Sequence, residues 1–294
     1  MLPVKSLGNI IVLWQRNPYS FPIMQAMQSY LMALQGWFAW RLGTPTLNKS
    51  LLTLRFDDAT KGQYEYALPL LEKYGLHGVL AVPTAAIGKK TVVHDSNSRY
   101  TPIESWNQVS EFLRAHWEIA SHSRNHRSKG NIWLNGPWAC LSENELLDEI
   151  LGSKNDLETN LGFMPKSIVV PGLTLTQNPL GKREIALAKK HYQILSLSLY
   201  DLDMFFNIPE KYADGLWGIQ INPSPILRQK IRRIMRDLST HRGYWAILFF
   251  HDIEGDGSKG SLRQKDLEMI IREIDMQHNI EVVTFTEGLR FVEA

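Results

Sequence analysis

Leu51-Leu52-Thr53-Leu54-Arg55-Phe56-Asp57-Asp58 decides how the rest of the chain is read. A mostly apolar run with strand character ends on two carboxylates, and the stretch Gln63–Tyr74 that follows has the apolar spacing of a helix. A strand feeding a helix through a polar turn is the unit of a parallel sheet, and it recurs to the end of the chain. The sequence predicts strands at Leu51–Phe56, Gly78–Val82, Trp117–Ser121, Ser167–Pro171, Gln193–Ser198, Trp245–Phe250 and Glu281–Thr284. Between them it predicts helices near Gln63–Tyr74, Ile103–His116, Ser142–Leu161, Lys182–Lys190, Pro225–His241 and Leu262–His278, with a last one near Thr286–Val292. Ser142-Glu143-Asn144-Glu145 is a capping-box sequence, and Gly75 and Gly162 stand where helices should end. Seven such units predict an α/β fold, a (β/α)7 barrel one unit short of the usual eight, with an open doubly wound sheet as the alternative.

Composition narrows the function. The 294 residues are 44% hydrophobic and 21% charged, enough for one barrel with an appendage. Lys+Arg 32 against Asp+Glu 30 leaves a net charge of +2, too little basic field for nucleic acid to be the main partner. The one cysteine, Cys140, excludes an intrachain disulfide and a Cys-built zinc site. No cleavable signal is read at the start, where Ile10–Trp14 is short and Arg16 follows at once. Phe21–Leu42 is apolar and Trp-rich, but Gln25, Gln28, Gln35 and Arg41 argue against a membrane span. It is read as a helix docked on the domain through Met24, Tyr30, Leu31 and Leu34. The second reading is a helix lying on a membrane surface through Trp37 and Trp40. Gly43–Lys49 reads as a linker, so residues 1–49 form an N-terminal helical extension and 50–294 the main domain. A cytoplasmic or membrane-associated protein is favoured.

Barrel chemistry sits at the carboxyl rim, where strands end and loops begin. Asp57-Asp58, His122 with His126, Pro171-Gly172 and His251-Asp252 all fall there. Each alone is ordinary, as a turn, an N-cap or a chance pair. Together they supply two imidazoles and a carboxylate, a known catalytic metal set, with a second carboxylate and a third imidazole for proton transfer. The same triad serves non-haem iron oxygenases, but Asp57 and His251 point to hydrolysis.

Leu54-Arg55-Phe56-Asp57-Asp58, Glu118-Ile119-Ala120-Ser121-His122-Ser123-Arg124-Asn125-His126, Val169-Val170-Pro171-Gly172 and Ile247-Leu248-Phe249-Phe250-His251-Asp252 resemble, in order, the motifs of the polysaccharide deacetylase family. That family is also called the NodB-homology domain or carbohydrate esterase family four. The resemblance covers about Ser50 to Glu293 and implies a distorted (β/α)7 barrel. It implies a hydrolase that removes an acyl group, most often N-acetyl, from an amino sugar of a poly- or oligosaccharide by metal-activated water. Asp58, His122 and His126 would be the ligands of a divalent metal, commonly zinc, with cobalt, nickel or manganese also used. Asp57 would be the general base, His251 the general acid and the Gly172 N–H the oxyanion donor.

The sequence departs from the pattern at Ala59, where the family has Gly, and at His116-Trp117, where Gly precedes the third strand; both read as changes of loop geometry. Val169 stands where the family has the Arg that holds the catalytic Asp, which suggests an impaired barrel that binds carbohydrate as an alternative. The Asp that tunes the acid has Asp201 and Asp203 as candidates. Side chains alternate along a strand, so Arg55 should share the inward face of Asp57 and replace the missing Arg in orienting it; the other reading turns Arg55 outward to a helix carboxylate.

Three further features are read from the residues alone. Arg228, Lys230, Arg232, Arg233 and Arg236 oppose Leu227, Ile231, Ile234 and Leu238, the pattern of a solvated outer helix. Trp106, Trp133 and Trp138 are either packing or platforms for sugar faces, and Gly255–Gly260 reads as a loop beside the acid.

Overall fold

The computed structural model describes residues 31, 34, 47–89, 92–93, 99–103, 105–128, 137–172, 178, 180–199, 205–208, 215–241, 243–254 and 261–293. Its sheet contains β1 (Ser50–Asp57), β2 (Val79–Val82), β3 (Glu118–Ser121), β4 (Ser167–Val169), β5 (Ile194–Leu199), β6 (Leu216–Gln220), β7 (Trp245–Phe250) and β8 (Ile280–Val282). β1 pairs in parallel with β7 from Leu51↔Trp245 to Phe56↔Phe250, which closes β1 to β7 into a ring and removes the open-sheet alternative. The ring is uneven: Ser121↔Ile168 is the single register pair between β3 and β4.

Seven strands are expected and seven close the barrel, but one differs. The expected strand at Glu281–Thr284 is β8, which pairs only with Ser50–Leu52 and leaves Arg55–Asp57 to β2. The strand that the sequence reading lacks is β6. It is short, and Gly218 and Gln220 occupy its inward positions, so it shows no β-branched run.

Alternation on the strands makes two cores. Leu52, Leu54, Phe56, Leu80, Ile119 and Ile168 face the helices, while Leu51, Val79, Ala81, Ala120, Val169 and Ile247 fill the lumen. The helices are α1 (Leu68–Lys73), α2 (Trp106–Arg114), α3 (Glu143–Leu147), α4 (Ser153–Leu161), α5 (Lys182–His191), α6 (Leu227–Thr240), α7 (Gln264–Asp275) and α8 (Phe285–Glu293). π-helical stretches Gln63–Ala67 and Asp148–Gly152 precede α1 and join α3 to α4. Ser142 caps α3 in a capping box, and Ser105 does the same for α2. Gly75 and Gly162 end their helices at φ 64° and 74°, where a Cβ is disfavoured.

α8 closes the lower end of the lumen. Phe285 and Leu289 join the lumen cluster, and Gly288 lies so close to Trp245 that a Cβ would come within 2.3 Å of its ring. Trp245 Nε1 donates to Thr53 Oγ1 at 2.9 Å, and Thr53 Oγ1 donates to the Val283 carbonyl at 2.8 Å. The lower end of the lumen is therefore packed with side chains.

α6 buries Leu227, Ile231, Ile234 and Leu238, while Arg228 and Arg232 pair with Glu273 of α7, so its basic face is a solvated one. Trp138 is wholly buried in the outer core and offers no face to a sugar; Trp106 packs partly buried against the same core. Leu31 and Leu34 are helical but 57% and 40% exposed, so these two do not dock on the barrel as expected. Met24, Tyr30, Trp37, Trp40, Trp133, Asp201, Asp203 and Gly255–Gly260 lie outside the described residues. Among the described residues no helix is long and apolar enough to cross a membrane.

Candidate active site

The rim loops carry strained backbone at the positions the sequence singles out. Asp58, Ala59, Ser123 and His126 all have left-handed φ, at 80°, 49°, 59° and 54°. Conformations of this kind cost roughly 1–3 kcal/mol each in non-glycine residues and collect at functional sites. Here they turn the chain sharply after β1 and β3, which brings Asp58, His122 and His126 together with ligand atoms all within 4.8 Å of one another.

The three side chains are buried, and Asp58 Oδ1 lies 3.6 Å from His122 Nε2 and 3.3 Å from His126 Nε2. Atoms bound to zinc at about 2.0–2.2 Å in a tetrahedron stand about 3.3–3.6 Å apart, so the spacing fits such an ion. The donor chemistry fits as well. His122 Nδ1–H donates to the Val169 carbonyl at 2.9 Å, which fixes the tautomer and turns the Nε2 lone pair towards Asp58 and His126.

The loop that carries both imidazoles is held from below by Glu149, a buried carboxylate on the π-helical stretch Asp148–Gly152. Its two oxygens accept from Asn125 N and Nδ2 at 3.0 and 2.9 Å, and its carbonyl accepts from Arg124 N. Ser123 Oγ accepts from His126 N at 3.1 Å. The sequence offered little to single out Glu149 within the acidic run that begins at Glu143.

Arg55 points into the lumen, on the face its spacing from Asp57 demands. Nε donates to Asp57 Oδ1 at 2.8 Å and Nη2 to Oδ2 at 2.7 Å, with Arg55 wholly buried and Asp57 2% exposed. Val169, across the lumen, packs in the apolar cluster.

His251 stands at the end of β7, and Gln220 at the end of β6 hydrogen-bonds its Nδ1 at 3.1 Å. Gln63 ties this strand end to the first: its Nε2 donates to the Asp57 carbonyl at 2.6 Å and to the His251 carbonyl at 3.0 Å. Gly172, at φ 71°, follows β4 in a loop that Asn178 holds by donating to the Pro171 carbonyl at 3.1 Å and the Arg127 carbonyl at 3.4 Å. The rim loops are thus tied in two pairs, those after β1 and β7 through Gln63 and those after β3 and β4 through Val169 and Asn178. Gln63, Asn178 and Gln220 have no local signal in the sequence, because each acts on a loop remote from its own.

Residues 44–186 match the family model described as polysaccharide deacetylase. Over these residues the chain is similar to the polysaccharide deacetylase family. Comparison with curated proteins finds no match. Solved structures of similar fold include the Xyl-CE4 domain of a multidomain xylanase from the hindgut metagenome of Trinervitermes trinervoides, at 17% identity and TM-score 0.53, covering 84% of this chain and 93% of that one. A variant of the peptidoglycan deacetylase PdaC from Bacillus subtilis matches at 15% identity and TM-score 0.51, covering 84% and 93%. BA3943 from Bacillus anthracis, a CE4 family pseudoenzyme, matches at 14% identity and TM-score 0.52, covering 83% and 66%.

Against the deacetylase pattern, two departures keep the backbone that glycine would favour. Ala59 and His116 adopt φ 49° and 63°, so the turns persist at some cost in strain.

Proposed function

We propose that this chain is a divalent-metal-dependent deacetylase that removes an N-acetyl group from an amino sugar of a poly- or oligosaccharide. The observation that carries the reading is the Asp58, His122 and His126 cluster directly beside an Asp57 already held by a guanidinium. Asp58, His122 and His126 would hold the ion, zinc by donor type. Bound there, it would supply Lewis-acid polarisation of the acyl carbonyl and activation of water. Asp57, held by Arg55, takes the proton released on attack. Gly172 N–H supports the developing oxyanion, a role worth roughly 10²–10³ in rate in other enzymes. His251, held through Nδ1 and its own carbonyl, protonates the departing amine and prevents the C–N bond from re-forming.

The alternative, a barrel that binds carbohydrate without turnover, rests on Val169 in place of the family Arg. Arg55 weakens it, because it fills the electrostatic place that Val169 leaves empty. An acetate-release screen of the zinc-loaded protein over chito-oligosaccharides, peptidoglycan fragments and lipid-linked sugars tests the reading. Turnover on one class supports it; saccharide binding with no acetate released from any supports the alternative.

A further inference from the structure

Each N–H of the Arg55 guanidinium has an acceptor in the lumen, and the acceptors come largely from a strand with no part in the proposed chemistry. Beyond its two bonds to Asp57, Nη2 donates to Ser198 Oγ at 2.8 Å, and Nη1 donates to Ser196 Oγ at 2.9 Å and the Leu197 carbonyl at 3.4 Å. Ser196 Oγ donates its own proton to the Leu216 carbonyl at 3.3 Å, which leaves its lone pairs facing the arginine. The guanidinium carbon lies over the Phe249 ring, 4.2 Å from its centre.

β5 reads Ile194-Leu195-Ser196-Leu197-Ser198-Leu199, with leucines on the helix side and the two hydroxyls inward. A buried hydroxyl is costly unless it meets a partner, and here each meets the same one. Gly218 keeps the lane open from the other side. A Cβ there would lie 3.2 Å from Arg55 Nη1 and 3.1 Å from Phe249 Cδ1, so the position is small for want of room. Val169 is the register partner of Ser196, so an arginine on β4 would converge on the same hydroxyls.

We propose that Ser196, Ser198 and Gly218 form a socket that holds Arg55 and positions Asp57 through it. The proposal rests on the reading of Asp57 as the base, and its test separates the two. In zinc-loaded, nitrogen-15-labelled protein, exchange of the Arg55 Nε–H with solvent is followed by NMR alongside steady-state kinetics. For Ser196→Ala/Ser198→Ala, and independently for Gly218→Ala, Nε–H exchange should quicken at least about 10-fold and kcat should fall about 10-fold or more, with KM within about twofold and zinc content unchanged. Unchanged exchange in both variants overturns the socket, as does a loss of kcat that only follows loss of zinc or of folded protein. Serine-dependent protection of the Nε–H in a wild-type protein that releases no acetate upholds the socket and removes the role of Asp57 instead.

Discussion

Arg55 grips both carboxylate oxygens of Asp57, two residues further along the same strand, and neither side chain is open to solvent. A buried pair of this kind is expensive to break, because removing one partner leaves an uncompensated charge. Arg55→Lys keeps the charge but cannot match the two oxygens with a planar fork. It should lower kcat roughly 10²-fold through misplacement of Asp57. Arg55→Leu should lose more, along with about 3–5 kcal/mol of stability. Zinc content should persist in both, and Arg55→Leu/Val169→Arg should recover part of the rate of Arg55→Leu. Full activity in Arg55→Leu would remove the positioning role.

Metal binding and proton transfer should separate by mutation. His122→Ala and His126→Ala each delete one of three ligands and should abolish both bound zinc and turnover. Asp57→Asn should bind zinc normally and lose roughly 10²–10⁴ in kcat. Metal analysis of the three purified variants beside their rates decides the assignment; unchanged zinc in both histidine variants excludes the site.

His251 has a test that depends on the leaving group. An amine must be protonated to depart, whereas an activated phenolate need not be. His251→Ala should lose roughly 10²–10⁴ in kcat on an amide but retain most of its rate on an activated aryl acetate. Equal losses on both substrates would point to a structural role.

Glu149 bonds Asn125 and Arg124, in the loop between the two imidazole ligands. Glu149→Ala should raise the zinc dissociation constant roughly 10- to 100-fold, as remote supports of metal ligands commonly do. Competition against a chromophoric chelator measures it.

Glu118, far from the site, gives a pH-dependent prediction. Burial raises its carboxyl above the usual range, against the opposing pull of hydrogen bonds from Ser167 Oγ and Thr286 N–H. A carboxyl raised in the folded state binds a proton there before it does so in the unfolded chain. Its cost is therefore fully present at neutral pH and is relieved as pH falls through the raised value towards about 4.3. Glu118→Gln removes the charge, and the Ser167 hydroxyl can turn to accept from the new amide. The variant should gain stability relative to wild type at pH 8 and lose that advantage near pH 5, as read by urea titration at both.

What the sequence determined alone was everything that depends on a short period. The repeat of strand and helix named a parallel α/β fold, barrel or open sheet, the capping box at Ser142 and the glycines at 75 and 162 marked helix ends, and the two-residue period of β1 placed Arg55 on the face of Asp57. Tertiary structure decided what depends on closure. The ring takes β6 rather than β8 because register across β5 and β7, not local propensity, recruits that strand. The same closure sets Ser196 against Arg55 across 141 residues and brings Gln63 to His251 across 188, contacts that no local pattern encodes. The alternation of leucine and serine along β5 was a legible sign that something polar lay in the lumen; which charge it was could be settled only when the opposite strand came into place.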